Sequence, residues 1–153
     1  MSGIYQWAPP TWIFFHYFAN KINEKFFISN RKECLDIIKL ICNNLPCTEC
    51  TKHAKRFMLT VNETNIKTKQ DLINMLFCFH NIVNKRLGKP LAKKLILNNY
   101  NNIPFYSIVN KFLLGYSKRY GSLMGGIISS LPARRRITQH IKKWLKQNWI
   151  QFQ

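Results

Sequence analysis

Residues 70–90 read QDLINMLFCFHNIVNKRLGKP. Leu72, Met75, Leu76, Phe79 and Val83 recur at helical spacing, which predicts an amphipathic helix over 70–87 with one core-facing side. Gly88 and Pro90 stop it. His80, Asn81 and Asn84 make a polar edge beside that apolar face. Several such groups turned toward a bundle interior suit a pocket for a flat polar ligand. Lys85, Arg86 and Lys89 follow at once and can meet phosphates.

Working outward, the same periodicity fills the first ninety residues with helices. Thr11 is expected to cap a helix over 12–25 that places Trp12, Phe15, His16 and Ala19 on one face. Residues 26–30 read as a connection. Residues 31–45 form a second helix, striped by Cys34, Ile37, Ile38, Ile41 and Leu45. Pro46 ends it and leads a third from about Cys47 to Thr60. Residues 61–68 read as polar loop. No convincing strand appears, so the fold class is all-α, a small four-helix bundle. Past Pro90 the signal weakens. Residues 98–102 are Asn-rich loop, 103–120 can hold a helix, 121–126 read as flexible, and 134–150 form a basic helix with Ile137, Ile141, Trp144 and Leu145 on one side.

The 153 residues suffice for one domain with a modest core, and 46% hydrophobic content excludes a disordered chain. Net charge is +18, unevenly placed. Residues 72–153 carry fourteen Lys/Arg and no acid. That asymmetry points to an anionic partner, such as nucleic acid, a phosphate-bearing cofactor, an acidic protein or a lipid surface, or else to a solvated basic face. Neither a secretory signal nor a spanning segment is apparent, so a soluble protein in a reducing compartment is expected. There five cysteines mean chemistry more than scaffolding.

Cys47-Thr48-Glu49-Cys50 is the sharpest local signal. On a helix the two sulfurs share a face and can bond, and Cys47 at the helix start sits where a thiolate is stabilised. That suits thiol–disulfide exchange. CxxC alone equally suits half a zinc site, with His53 or His80 adding ligands. Cys34 and Cys42, eight apart on one helix, are about 12 Å from each other and cannot bridge. Cys78 reads as a small buried hydrophobe.

Three motifs in order make the sequence recognisable: Thr11-Trp12 with His16; Leu45-Pro46-Cys47-Thr48-Glu49-Cys50 followed by His53-Ala54; and Phe79 to Pro90, which fits HNxVNxxLxKP throughout. The chain resembles the Erv/ALR family of FAD-linked sulfhydryl oxidases over residues 7 to about 100, and its short form looks most like members encoded by large DNA viruses. The resemblance implies a helical bundle holding FAD beside the CxxC; a further short helix and a basic helical C-terminal extension complete the expected fold. It implies cofactor contacts from Trp12, His16, His53, His80, Asn81, Asn84, Lys85 and Lys89. It also implies Cys50 as the flavin-proximal sulfur, oxygen as acceptor with hydrogen peroxide as product, and a homodimer, while the helix-start position of Cys47 marks it as the sulfur met by substrate. Residues 1–100 would be the oxidase domain. Host cytoplasm or virion would be its place.

The departures from the family pattern are specific. Ala8-Pro9-Pro10 stands where a glycine often precedes the tryptophan. No second CxxC exists, and no cysteine follows Cys78. Lacking its own shuttle pair, the enzyme would depend on a separate dithiol protein, as substrate or relay. The rival classes are a zinc-binding module on Cys47, Cys50 and His53, and a nucleic-acid binder driven by the basic half. Residues 101–153 match nothing. They would either dock on an acidic partner or anionic surface, with Trp144 and Trp149 as apolar anchors, or pack Phe105, Ile108, Phe112 and Leu113 onto the bundle. If residues 1–100 are a complete bundle, the extension is dispensable for turnover on a small dithiol.

Overall fold

A computed structural model describes residues 2–95, 98, 102–121 and 127–153. Its helices are α1 (Ser2–Lys21), α2 (Glu24–Ser29), α3 (Arg31–Cys42), α4 (Thr48–Thr60), α5 (Lys69–Arg86), α6 (Phe105–Tyr116) and α7 (Ile127–Gln147), with 3-10 turns at Glu63–Asn65 and Trp149–Phe152. Among the described residues there is no strand. None of the described helices is long and apolar enough to cross a membrane. The reading of 121–126 as flexible falls, apart from Gly121, outside the described residues, as does most of 98–102.

The first helix differs most from expectation. It starts near residue 2 rather than at Trp12 and carries Pro9 and Pro10 inside it. Each proline lacks an N–H, which ordinarily breaks a helix. Here tertiary packing holds the turn: Trp7 and Thr11 are buried, and the Thr11 hydroxyl donates to the Trp7 carbonyl at 2.5 Å. Thr11 is therefore an interior residue and not the cap. The helix also stops early, at Lys21. Asn23 then caps α2 by accepting the Phe26 N–H at 3.0 Å, so the expected connection is helical.

The third helix ends at Cys42, short of Leu45, because Asn43 closes it and Asn44 folds back to the Leu40 carbonyl. α5 falls within a residue of expectation at both ends. It begins in a capping box: the Thr68 hydroxyl accepts the Asp71 N–H, and the Asp71 carboxylate accepts the Thr68 N–H. Gly88, at φ 66°, turns the chain at its far end. The Lys89 N–H then reaches the Asn84 carbonyl at 2.8 Å, a wrap that sends Lys89 back along the helix.

α1 packs mainly against α6 and α5, and α3 against α4 and α7. One contiguous core runs from α1 to the C-terminal turn. Aromatic side chains knit it: Phe14 stacks on Phe112 at 4.3 Å, Phe18 meets Phe152 at 5.2 Å, and Phe105 stacks on Trp149 at 5.4 Å. Phe105, Ile108, Phe112 and Leu113 are all buried in it. Trp144 is buried too, and Trp149 is half-buried on Phe105, so neither is an exposed docking anchor. Arg134, the first residue of the basic stretch 134–150, is also wholly buried. Cys34 and Cys42 are free and buried as expected; burial pushes the Cys34 thiol up to about 12 and raises Cys42 further. Cys78 is exposed, contrary to expectation. Phe77 and Phe79 already take the buried positions on either side, which turns residue 78 outward.

Candidate active site

Pro46 delivers the chain to the N-terminus of α4 with Cys47 as its cap. Cys47 and Cys50 are disulfide-bonded, Cα to Cα 5.2 Å. The Cys50 N–H donates to the Cys47 sulfur at 3.2 Å, one of the orphan donors of the first turn. Thr51 braces the approach: its hydroxyl accepts the Leu45 N–H at 3.1 Å and donates to the Cys47 carbonyl at 3.0 Å. The first turn also holds Glu49, whose carboxyl is kept below its ordinary range by the Lys52 ammonium that bonds it.

A cavity of about 480 Å³ opens between α1, the α3–α4 corner and the end of α5. Trp7, Trp12, Phe15, Leu45 and Val83 give it apolar walls. Cys50 faces it; Cys47 does not line it. Its polar edge is His16, His80 and Asn84, and the exposed cations Arg86 and Lys89 stand at the rim. Trp12 lies flat on His80, ring centroids 4.1 Å apart and planes within 4°. His16 Nε2 and His80 Nδ1 share one hydrogen bond at 2.8 Å. The other nitrogen of His16 is buried and has no hydrogen-bond partner among the described residues.

The structure thus gathers Trp12, His16, Cys50, His80, Asn84 and Lys89 around one space. It does not bring His53, Asn81 or Lys85 to the cavity wall. Asn81 instead clamps Ala92, accepting its N–H at 2.7 Å and donating to its carbonyl at 3.2 Å, which ties the segment after Lys89 to α5. His53 is half-buried on α4 and Lys85 is exposed. Trp7 escaped the sequence reading because Pro9-Pro10 masked the helix that carries it. Among the described residues, no three His, Cys, Asp or Glu side chains gather as a metal site would need.

Burial is the main cause that drives both histidines toward neutrality. His16 falls from 6.5 to about 3, helped by His80, and His80 falls to about 4, helped by Lys89. In the unfolded chain both titrate near 6.5. Between these values the unfolded state binds more protons, so stability present at neutral pH is lost as pH falls below about 6.5. The slope is at most about 1.4 kcal/mol per pH unit for each histidine. Thermal melts from pH 7 to pH 4 are expected to show this decline, and His80→Asn is expected to flatten it. A flat wild-type profile over that range would contradict neutral, buried histidines.

Residues 9–101 match the Erv1 / Alr family, which covers well over half of the chain, and the chain belongs to that family. It is similar to FAD-linked sulfhydryl oxidases of two African swine fever virus isolates. One is 34% identical over 119 residues and the other 32% over 116, each alignment spanning 76% of this chain and 94% of the relative. A relative from Invertebrate iridescent virus 3 is 32% identical over 101 residues, 65% of this chain and 68% of its own length. The FAD-linked sulfhydryl oxidase ERV1 of rice is 28% identical over 81 residues, 53% of this chain and 41% of its own length. No solved structure matches the chain significantly.

Proposed function

We infer that this chain is an FAD-dependent thiol oxidase that makes disulfide bonds in dithiol substrates. The observation that carries the reading is that Cys50 of a bonded CxxC lines the same cavity as His16, His80 and Asn84. The donor set fits FAD. Flat apolar walls suit a flavin ring, the partnerless His16 nitrogen offers a buried polar contact, and Arg86 and Lys89 at the rim suit the diphosphate. When bound, FAD supplies the two-electron chemistry between a thiol pair and dioxygen, giving hydrogen peroxide. Trp12, His16, His80, Asn84 and Lys89 would hold it, joined by Arg86. His53 and Lys85 would meet only parts of it reaching beyond the cavity, and Asn81 would act through the Ala92 segment.

The protein's own part is two exchange reactions. A substrate thiolate attacks the Cys47 sulfur; the Cys47–Cys50 bond breaks, a mixed disulfide forms, and Cys50 leaves as thiolate. Access sets this direction, because Cys50 faces the cavity. A second substrate thiolate then attacks the substrate sulfur of the mixed disulfide and releases Cys47. The Cys50 N–H already bonded to the Cys47 sulfur stabilises that departing thiolate, as does the helix N-terminus.

Further parts of the reading are a homodimer, a separate dithiol protein as substrate or relay, and a viral setting in host cytoplasm or virion. The exposed Arg135, Arg136, Lys142, Lys143 and Lys146 on α7 suit an anionic surface, with binding that weakens as salt rises. The decisive test is the spectrum. Purified protein is expected to be yellow, with flavin absorbance released as FAD on denaturation, and to consume oxygen with dithiothreitol. Colourless protein that FAD does not reconstitute would overturn the assignment.

A further inference from the structure

Beyond residue 101, where the family match ends, the chain turns back onto Trp7, beside the redox pair. Tyr120 is 6% exposed and pairs with Trp7 in a small cluster separate from the main core. Leu45, Cys47 and Cys50 pack against that cluster.

Both aromatic side chains are held from outside the CxxC. The Tyr120 hydroxyl donates to the Gly115 carbonyl in the last turn of α6, at 2.5 Å. The buried Arg134 of α7 lies 5.9 Å over the Tyr120 ring. Its guanidinium donates to the Tyr116 and Lys118 carbonyls at 2.6 and 2.9 Å, and its Nε donates to the Ser130 hydroxyl at 3.0 Å. A charge wholly out of water persists only with such partners, and here two are carbonyls, Tyr116 in the last turn of α6 and Lys118 just beyond it. On the other side, Gly115 lets the α6 backbone come up against Gln6 and Trp7; a Cβ there would run into the Gln6 carbonyl oxygen. Lys118 adds a bond to the Gln6 side chain at 2.6 Å. A Cβ on Gly3 would stand 2.9 Å from the Tyr120 ring.

We propose that Tyr120 is a positioning residue for the Cys47–Cys50 pair, through which the extension sets how readily that disulfide is reduced. The proposal rests on reading Cys47–Cys50 as the redox pair. The Trp7–Tyr120 cluster shields one side of the disulfide and supports its bonded geometry. Exposed disulfides are the more oxidising and labile ones, so losing the ring shifts the pair toward the dithiol. Among the described residues, no other part of the extension is in this cluster.

The test uses the full-length protein, equilibrated without oxygen in mixtures of reduced and oxidised dithiothreitol. Each dithiothreitol oxidised loses two thiol hydrogens and forms its own S–S bond as the Cys47–Cys50 bond opens to two thiols. Alkylation and mass spectrometry then read the 47–50 couple directly. Tyr120→Ala is expected to shift the equilibrium constant about tenfold toward the reduced pair, Tyr120→Leu by a smaller but measurable factor, and Tyr120→Phe by less than about twofold. Ile141→Val, a core change on α7, is expected to leave it unmoved. A wild-type equilibrium in Tyr120→Ala overturns the proposal. Where circular dichroism finds that variant unfolded, the same result in Tyr120→Leu does so. An equal shift in Ile141→Val also overturns it, since the effect would then be general loosening. Protein without flavin would sink the oxidase reading and still return this equilibrium, whereas an unmoved equilibrium in yellow, active variants sinks the proposal alone.

Discussion

Ending the chain after residue 100 is expected to yield no soluble, yellow protein. Phe14 and Phe18 of α1 are fully buried, and four of the aromatic side chains they meet, Phe105, Phe112, Trp144 and Phe152, lie in the extension. Trp7 loses Tyr120 as well. The Asn23 N–H, between α1 and α2, loses the Gln151 carbonyl it reaches at 2.7 Å. Exposing three large aromatics costs roughly 5–9 kcal/mol at the usual value per buried side chain, against a total stability of about 5–15 kcal/mol. The uncovered α1 stripe would also be an apolar patch of the kind that drives aggregation. Expression of residues 1–100, with solubility, flavin absorbance and helical signal compared to full length, checks this. A soluble fragment that binds FAD and oxidises dithiothreitol would show residues 1–100 to be complete alone and the extension to be an appendage.

The extension was hard to read because charge and burial share one helix. On α7, Leu131, Ile137, Ile141, Trp144 and Leu145 form a core stripe, yet Arg134, Arg135, Arg136, Lys142, Lys143 and Lys146 sit between them. Composition alone favours a solvated docking helix. Arg134 shows why it misleads: its long side chain is spent on the Tyr116 and Lys118 carbonyls at and just past the end of α6, a use visible only once α6 and α7 are placed. α6 was more legible, since Phe105, Ile108, Phe112 and Leu113 are apolar at helical spacing with a single Lys among them.

The candidate site was legible where local rules and tertiary packing agree. α5 has a cap, an apolar stripe, a polar edge and a Gly stop, all within twenty-one residues, and its bounds and inward-facing His80 and Asn84 follow from them. Around the CxxC, Pro46 and the helix-start position of Cys47 were enough to place the pair. The N-terminal turn of α1 was not legible. Two consecutive prolines argue locally against helix, and what overrides them is a close approach of α6 at Gly115, more than one hundred residues away in sequence. Thus Trp7, a wall of the cavity, was lost together with its helix.

Replacing Cys47 or Cys50 with serine is expected to abolish dithiol oxidation, by at least about a thousandfold, while flavin stays bound. A serine hydroxyl forms no disulfide and is not ionised at neutral pH, so neither exchange step can occur. Structural damage would not explain the loss. Serine is a good helix N-cap, so at position 47 it keeps the cap that the Cys47 sulfur now provides. Position 50 contributes one half-buried side chain to the cavity wall. The two variants differ in what remains. Cys50→Ser leaves Cys47 as a free thiol away from the cavity, open to a mixed disulfide with added oxidised glutathione, one glutathione leaving as thiol, that mass spectrometry detects. Cys47→Ser leaves a thiol that faces the cavity and is expected to form that adduct more slowly in the flavin-bound protein. Cys34→Ala and Cys78→Ser serve as comparisons. The first removes a buried sulfur from α3 and is expected to cost about 1–2 kcal/mol of stability with turnover retained. The second, at an exposed position, is expected to change stability by less than about 0.5 kcal/mol. Full activity in Cys50→Ser would overturn the assignment of the cavity-facing sulfur. Selective loss in Cys34→Ala or Cys78→Ser, in folded yellow protein, would place a third cysteine in the electron path.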